Sequence, residues 1–258
     1  MENSVRILEL EDELKNTKEE LNKVIAAYDD FIHLASHDLQ SPIRKVSTLL
    51  DRFLIKNQDS INDDSKAYIE RIHKSLAHLT SLISDITTLS EFQAVKEPIE
   101  EVNLNNVVSK VFDSFKQKNI KANFLNLPFV FGNNTAYEKL FNELITNSEK
   151  YKKADVGLEI SISSTRIQEE EKLILNLKPE KLYSKILYHD NGIGFNNEMA
   201  ERIMKPFQRL HGNATYSGNG IGLAICKKIV ESNGGVFFGQ GKENEGATFS
   251  IILPEYQK

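Results

Sequence analysis

The first ninety residues carry two stripes of apolar positions separated by a polar stretch. In the first stripe, apolar or small residues recur at alternating steps of three and four, which is typical of a coiled-coil seam. Its members are Ile7, Leu10, Leu14, Thr17, Leu21, Val24, Tyr28, Phe31 and Ala35. Beyond Ala35 the stripe steps by four to Leu39 and Ile43, so its frame slips by one residue at His37. We expect one long helix that associates with a second helix along this seam.

A second stripe follows the polar segment "KNQDSINDDS" and predicts a second helix. Its members are Ile69, Ile72, Leu76, Leu79, Ile83 and Ile86. A single helical hairpin cannot bury both stripes, so we expect two chains to form a four-helix bundle. The predicted divisions are a coiled coil over residues 1–30 and a dimerising hairpin over residues 31–96.

From residue 97 to residue 258 the pattern changes to shorter helices and strands, which predicts an α/β sandwich with helices on one face of a mixed sheet. Helical spacing predicts helices near residues 105–118, 135–153, 197–207 and 220–235. Alternating or apolar runs predict strands near residues 158–164, 172–177, 185–190, 236–240 and 247–254. "TAYE" predicts a capping box at Thr135, and "NGG" after "IVES" predicts a helix end.

Composition and charge exclude several classes of protein. A net charge of −5 provides no basic surface for nucleic acid. No apolar run approaches the roughly 18 residues of a membrane helix, and the acidic, heptad-like N-terminus does not resemble a signal peptide. We therefore expect a soluble, cytoplasmic chain with no membrane segment. The single cysteine, Cys226, excludes a disulfide framework and a thiolate metal cluster, and we interpret it as a buried apolar filler.

His37 is a candidate nucleophile. It lies two residues from Ala35 and from Leu39, which turns its side chain away from the seam and toward solvent. Pro42 has no N–H, so the helix is expected to bend there. A largely neutral imidazole beside Asp38 suits nucleophilic attack, with the carboxylate orienting the ring and accepting a proton. From this segment alone, a surface histidine beside a capping aspartate is the favoured interpretation.

A candidate nucleotide site lies further along the chain. Glu143, Asn147 and Lys150 share one face of a predicted helix, and a carboxylate, an amide and an ammonium there suit a magnesium-bound triphosphate. Asp190 ends a predicted strand and is followed by glycines that permit a tight turn, Gly192 and Gly194. Three further glycines, at positions 218, 220 and 222, lie where a helix begins and can bind phosphate. The pattern does not fit a dinucleotide-binding fold.

Taken together and in order, six segments resemble motifs of the two-component sensor histidine kinases. Their sequences are most similar to those of the phytochrome type. "SHDLQSPIR" resembles the phosphoacceptor box, "NELITNSEKY" the N box, and "DNGIGF" and "GNGIGLA" the two glycine boxes. "KPFQRLH" resembles the F box and "GATFSIILP" the closing strand. The resemblance covers residues from about 25 to 254. It implies that residues 31–96 are a dimerisation and phosphotransfer domain and residues 97–258 a Bergerat-type ATP-binding domain.

The resemblance implies a role for each matching residue. His37 attacks the γ-phosphate of ATP, with Asp38 as its partner and base. Asn147 holds Mg²⁺, Lys150 a phosphate, and Tyr151 stacks near the adenine, while Asp190 accepts from the adenine amino group. The remaining implied nucleotide-binding residues are Gly192, Gly194, Phe207, Arg209, Gly218, Gly220, Gly222, Leu223 and Thr248. Arg209 adds positive charge near a lid, "RLHGNATYSG", that closes over the nucleotide.

The implied partners are a second copy of the chain, a response regulator that receives the phosphoryl group on an aspartate, and an upstream sensory module or partner sensor. Three residues depart from the family pattern. Glu143 stands where the family usually has asparagine. Glu143 with Asn147 is similar to the related ATPases of the gyrase, Hsp90 and mismatch-repair type, in which that glutamate activates water. A second carboxylate near the phosphates repels ATP unless magnesium screens it, so low ATP affinity is expected. Glu149 replaces an apolar residue and is interpreted as solvated. Ser41 replaces a threonine or asparagine, which leaves phosphatase activity open.

Two alternatives therefore stand beside the kinase. The first is an ATP-hydrolysing conformational switch that uses Glu143 as its catalytic carboxylate. The second is a non-catalytic dimeric adaptor whose weakened nucleotide site shapes a docking surface. The intact glycine boxes and Asn147 argue against the adaptor.

Overall fold

The computed structural model of the chain describes residues 2–57, 61–91, 100–210 and 218–255 and divides into two units, Met1–Gln93 and Ala94–Lys258. The first unit consists of helix α1, Glu2–Lys56, packed against helix α2, Asp63–Glu91. Helix α2 begins where the side chain of Asn62 accepts the backbone N–H of Ser65, at 2.8 Å. The predicted helical hairpin is confirmed. The predicted boundary at residue 97 lies outside the described residues.

The seam of α1 is exposed in the single chain. Leu14, Leu21, Val24, Tyr28 and Phe31 are each more than half exposed, while Ile69 and Ile83 of α2 are buried. Helix α1 continues through Pro42, and the expected bend there stays a prediction. The hairpin therefore buries only part of the apolar surface that its two stripes carry.

The described residues of the second unit form seven strands. They are β1 (Glu100–Asn103), β2 (Lys121–Phe124), β3 (Phe129–Gly132), β4 (Glu159–Arg166), β5 (Tyr183–Asp190), β6 (Val236–Lys242) and β7 (Gly246–Pro254). Five of them form one sheet in the order β2-β4-β5-β7-β6, and β1 pairs with β3. Strands β2 and β4 are parallel and the other neighbours are antiparallel. The predicted mixed sheet is confirmed.

In the part of this unit that the structure describes, five α-helices accompany the strands: α3 (Leu104–Ser114), α4 (Asn134–Lys150), α5 (Glu169–Ile174), α6 (Ala200–Ile203) and α7 (Gly222–Ser232). Helix α4 packs between α3 and α7. Leu140 and Leu144 of α4, Ile225 of α7 and Tyr188 of β5 are almost completely buried. This packing fixes α4 against the sheet and brings the start of α7 to its side.

The segment at residues 172–177 was predicted as a strand, and that prediction is wrong. Residues up to Ile174 belong to α5, whose first turn is acidic and so favours a helix start. Leu175 and Leu177 then pack against a cluster that includes Tyr183 and Ile252. Tyr183 and Tyr188 are an odd number of residues apart on β5, so their side chains point to opposite faces of the sheet. This cluster therefore lies on the face opposite Tyr188. A short apolar run is compatible with either a strand or a helix. In the structure this run ends a helix and then covers an apolar face of the sheet.

The ends of α4 and α7 test two further predictions. The capping box at Thr135 is wrong, because Asn133 caps α4 by accepting the N–H of Ala136 at 2.9 Å. The end of α7 is confirmed. The N–H groups of Gly234 and Gly235 donate to the carbonyls of Glu231 and Val230 at 2.9 and 3.0 Å, which is a Schellman motif.

Three buried side chains of the second unit, two tyrosines and one cysteine, lose a proton only at alkaline pH, so the stability of this unit depends on pH in that range. Burial raises the pKa of Tyr137, Tyr188 and Cys226 above their ordinary values of 10.0 for tyrosine and 9.0 for cysteine. In the unfolded chain these groups lose their protons at the ordinary values, whereas the folded chain keeps them. Their contribution is therefore fully present below about pH 9 and is lost as pH rises.

We predict that the free energy of unfolding of the second unit, measured by urea denaturation, is lower at about pH 10.5 than at about pH 8. Tyr188→Phe removes one of the three acids, so the variant should depend less steeply on pH. Equal stability of the unchanged protein at both pH values would contradict this account.

Candidate functional site

One face of α4 meets the first residue of α7. Glu143 and Asn147 lie one turn apart on α4, and both are half-buried. A Cβ added at Gly222 would stand 2.6 Å from Oε2 of Glu143 and 3.6 Å from Nδ2 of Asn147. The structure therefore brings Glu143 and Asn147 of α4 close to Gly222 at the start of α7.

Lys150 lies at the other end of the same face, close to the glycine loop. A Cβ on Gly218 would stand 2.9 Å from its Nζ, and the ammonium lies 4.6 Å from the centre of the Tyr151 ring. Gly220 has a φ of +71°, and its added Cβ would stand 2.7 Å from the carbonyl oxygen of Gln208. The loop that precedes α7 therefore passes directly beside the end of α4.

Asp190 is buried, and its carboxylate is held by two donors. The hydroxyl of Ser148 donates to Oδ2 at 2.8 Å, and the N–H of Gly192 donates to Oδ1 at 2.9 Å. Ser148 also bonds the hydroxyl of Tyr188 at 2.9 Å. Because Ser148 gives its only proton to Asp190, Tyr188 is the donor in that second bond. Burial raises the pKa of Tyr188, which keeps the donor protonated.

This chain of hydrogen bonds fixes the rotamer of Asp190. Each carboxylate oxygen has capacity for a further donor, so Asp190 is able to accept from a ligand amino group. Ser148 was not among the site residues predicted from the sequence. The signal available in the sequence was its position next to Asn147 on a helix that packs on the strand ending in Asp190.

The loop after Asp190 is tied to the end of α4. The N–H of Ile193 donates to the carbonyl of Tyr151 at 2.9 Å, and the N–H of Asn244 donates to the carbonyl of Ile193 at 2.7 Å. Gly194 has a φ of +63°, and a Cβ there would overlap the backbone carbonyl of Lys242. Gly194 therefore combines a left-handed conformation with a close backbone approach.

We predict that Gly194→Ala lowers the free energy of unfolding of the second unit by about 3 kcal/mol, because strain and a backbone clash add. Gly234→Ala is the matched control, since Gly234 also has a positive φ, +73°, but its added Cβ would meet nothing within 4 Å. That variant should lose only about 1 kcal/mol. Equal losses for the two variants in urea denaturation would refute the clash.

The structure gives the following positions for the other predicted nucleotide-binding residues. Phe207 is half-exposed with a φ of 63°, Arg209 is half-buried, and Leu223 is the second residue of α7. Most of the predicted lid, residues 211–217, lies outside the described residues.

The structure does not bring Thr248 to this site. Thr248 pairs with His189 across β5 and β7, and its hydroxyl lies 3.0 Å from the His189 ring. Asp190 pairs with Ala247 instead. Because neighbouring residues of a strand point to opposite faces, Thr248 and Asp190 lie on opposite faces of the sheet.

His37 is exposed in the first unit, with 81% of its side chain accessible to solvent. Its Nδ1 lies 3.6 Å from Oδ1 of Asp38, an ion-pair distance slightly longer than a hydrogen bond. A groove of about 560 Å³ beside the ring is lined by His37, Gln40, Ser41, Arg44, Lys45, Thr48, Leu49 and Arg52. Sequence reasoning missed the three basic residues of this groove, although helical spacing from His37 was enough to find them.

No group of three or more His, Cys, Asp or Glu side chains in the described part of the chain is arranged to hold a metal ion. Mg²⁺ fits Asn147 nevertheless, because this ion is satisfied by one protein oxygen together with phosphate oxygens and water.

Among the described helices, none has the length and apolarity needed to cross a membrane.

The chain is similar in sequence to several known proteins. Residues 132–257 match the family described as histidine kinase-, DNA gyrase B-, and HSP90-like ATPase, and this range includes α4, Asp190 and α7. The chain is 29% identical over 252 residues to cyanobacterial phytochrome A of Nostoc sp., covering 96% of the chain and 31% of that relative. It is 25% identical over 270 residues to the adaptive-response sensory kinase SasA of Synechocystis sp., covering 98% of the chain and 67% of that relative.

Two solved structures share the fold. Full-length ShkA, described in complex with AMPPNP, aligns with a TM-score of 0.64 at 18% identity, over 89% of this chain and 46% of that one. The Acinetobacter baumannii histidine kinase AdeS aligns with a TM-score of 0.54 at 21% identity, over 86% of this chain and 98% of that one. The chain spans about a third of the length of its phytochrome relatives.

Residues 132–257 are therefore an ATPase domain of the histidine kinase-, DNA gyrase B-, and HSP90-like family. Beyond that domain, the chain is similar along nearly its whole length to cyanobacterial phytochromes and to the sensory kinase SasA. The resemblance to sensor histidine kinases that the six sequence segments indicate is therefore confirmed.

Proposed function

We propose that this chain is the kinase core of a two-component sensor. It transfers the γ-phosphoryl group of Mg-ATP to His37 and passes that group to an aspartate of a response regulator. The observation that carries the proposal is the exposure of the His37 ring beside Asp38, in a chain that also has an ATPase-type site.

The arrangement of His37 indicates which nitrogen reacts. Asp38 lies on the Nδ1 side of the ring, so Nε2 attacks the γ-phosphorus. The new N–P bond forms as the bond between the γ-phosphorus and the bridging oxygen breaks, and ADP leaves with that electron pair. The proton on Nδ1 is stabilised by, or passes to, the Asp38 carboxylate.

The second unit supplies positioning and charge. Asn147 provides an oxygen ligand for Mg²⁺, Lys150 neutralises phosphate charge, and Asp190 accepts from the adenine amino group beside Tyr151. These roles suit phosphoryl transfer, in which catalysis is mostly positioning and electrostatic stabilisation. The magnesium ion, when bound, adds neutralisation of the charge that develops on the phosphate oxygens. The description of ShkA in complex with AMPPNP supports nucleotide binding by this fold.

The exposed seam of α1 supports a homodimer. Apolar side chains at 57–71% exposure, such as Leu14, Leu21 and Phe31, need a partner surface, and a second copy supplies the matching stripe. An upstream sensory module or partner sensor would act through this helix. Sedimentation at the monomer mass of 29.3 kDa would contradict the dimer.

The basic groove beside His37 and the description of the histidine kinase ThkA in complex with the response regulator protein TrrA support transfer to a receiver domain. The test is incubation with γ-labelled Mg-ATP. A label that is labile in acid and stable in base, and that moves to an added receiver domain, is the expected result. A label stable in acid would overturn the proposal.

The second candidate is the ATP-hydrolysing switch, which the position of the Glu143 carboxylate beside Gly222 favours. It predicts that His37→Ala releases inorganic phosphate from ATP at the rate of the unchanged protein. The kinase predicts that turnover linked to phosphoryl transfer disappears in that variant. If ATP binding is undetectable, the remaining interpretation is the non-catalytic dimeric adaptor.

A further inference from the structure

Lys139 forms an ion pair with Glu143 within the nucleotide site. The two residues lie one turn apart on α4, and Nζ lies 2.7 Å from Oε1 of the carboxylate. The side chains are 34% and 19% exposed. This pair is more enclosed than the Lys227–Glu231 pair on α7, which has the same spacing, a distance of 3.7 Å and exposures of 43% and 51%. Solvent therefore screens the Lys139–Glu143 interaction less.

The second oxygen of Glu143 faces the position where phosphate is expected. Oε2 lies 2.6 Å from the place of a Cβ on Gly222, the first residue of α7. Ile221, which precedes the helix, provides no side-chain cap. The first N–H groups of α7 and its positive dipole end favour an anion. Glu143 thus brings a negative charge to the same helix end that a nucleotide phosphate would approach.

A carboxylate in this place repels a phosphate unless a cation cancels its charge. Lys139 contacts the carboxylate oxygen that points away from Gly222, so it lowers the net charge of the pair without occupying the space beside the helix. We infer that Lys139 is a positioning residue that acts through Glu143. It cancels the Glu143 charge and thereby lets the site accept Mg-ATP despite the extra acid.

This inference rests on the proposed nucleotide binding, and the test separates the two. Affinity for Mg-ATP is measured by calorimetric titration of the full chain. Lys139→Met removes the charge at similar length and should weaken binding about tenfold, because an uncompensated carboxylate then faces the phosphates. Glu143→Gln alone should bind at least as tightly as the unchanged protein.

The double variant decides the mechanism. If Lys139 acts through Glu143, Lys139→Met combined with Glu143→Gln restores the affinity of the unchanged protein, and the two changes are strongly non-additive. Lys139→Arg keeps the charge and should also keep the affinity. Lys227→Met, in the exposed pair of the same spacing, should leave binding unchanged. Thermal unfolding of each variant establishes that it is folded.

Three results would overturn the inference. Unchanged affinity in folded Lys139→Met would mean that the pair has no role. Weak binding by the double variant would mean that Lys139 contacts the phosphate directly. Failure of the unchanged protein to bind Mg-ATP would overturn the proposed function as well, whereas the first two results leave that function standing.

Discussion

His37→Gln is expected to lose phosphorylation from γ-labelled ATP by about 100-fold or more, while still binding Mg-ATP. The glutamine side chain has similar polarity, but its amide nitrogen is not a nucleophile because its lone pair is delocalised into the carbonyl. In the proposed function the nucleotide is held by residues of the second unit, so its affinity should not depend on the imidazole. Label incorporation per chain and calorimetric ATP affinity, measured on the same sample, separate these two effects.

His73→Gln is the matched control. His73 is also a helical histidine beside a carboxylate, with Nε2 3.3 Å from Oδ1 of Asp51, but its side chain is only 32% exposed. This variant should incorporate label like the unchanged protein. Loss of label in His73→Gln with retention in His37→Gln would reverse our assignment of the acceptor.

Asp190→Asn is expected to weaken Mg-ATP binding by about 100-fold or more. The carboxylate accepts from Ser148 and from the N–H of Gly192, and it has capacity for the adenine amino group. In asparagine an NH₂ group replaces one carboxylate oxygen. This donor would then face the hydroxyl of Ser148 or the N–H of Gly192, which are also donors. The variant therefore loses the ligand bond and disturbs the bonds that orient the side chain. Calorimetric titration with Mg-ATP measures the loss.

The neighbouring residue provides the control for Asp190. His189 lies next to it on β5 but on the opposite face of the sheet, where it contacts Thr248. His189→Ala and Thr248→Ala should therefore bind Mg-ATP like the unchanged protein. Strong loss of affinity in Thr248→Ala would restore this residue to the nucleotide site and contradict the observed register.

Much of this organisation could be predicted from periodic patterns. The helical period predicted the exposure of His37, because a residue two positions from each seam residue must turn away from the seam. Strands β5 and β7 are long enough for their apolar patterns to be recognised. The four-residue strands β1, β2 and β3 were missed because alternation cannot be established over so short a length.

Other features depend on contacts that the sequence does not specify. The face on which Thr248 lies depends on the register between β5 and β7, and a shift of one residue would reverse it. Lys139 stands four residues before Glu143, so their pairing could be predicted from helical spacing alone. Its significance emerges only from the packing of α7, which brings Gly222 to the Glu143 carboxylate.

The central claim is that one exposed imidazole receives the phosphoryl group from ATP. Tandem mass spectrometry of the chain, digested at neutral or alkaline pH after incubation with Mg-ATP, tests it most directly. We predict a phosphoryl group on the peptide that contains "SHDLQSPIR", with fragment ions that assign it to His37. A phosphoryl group on another residue, or ATP consumed with no modified peptide, would contradict the account.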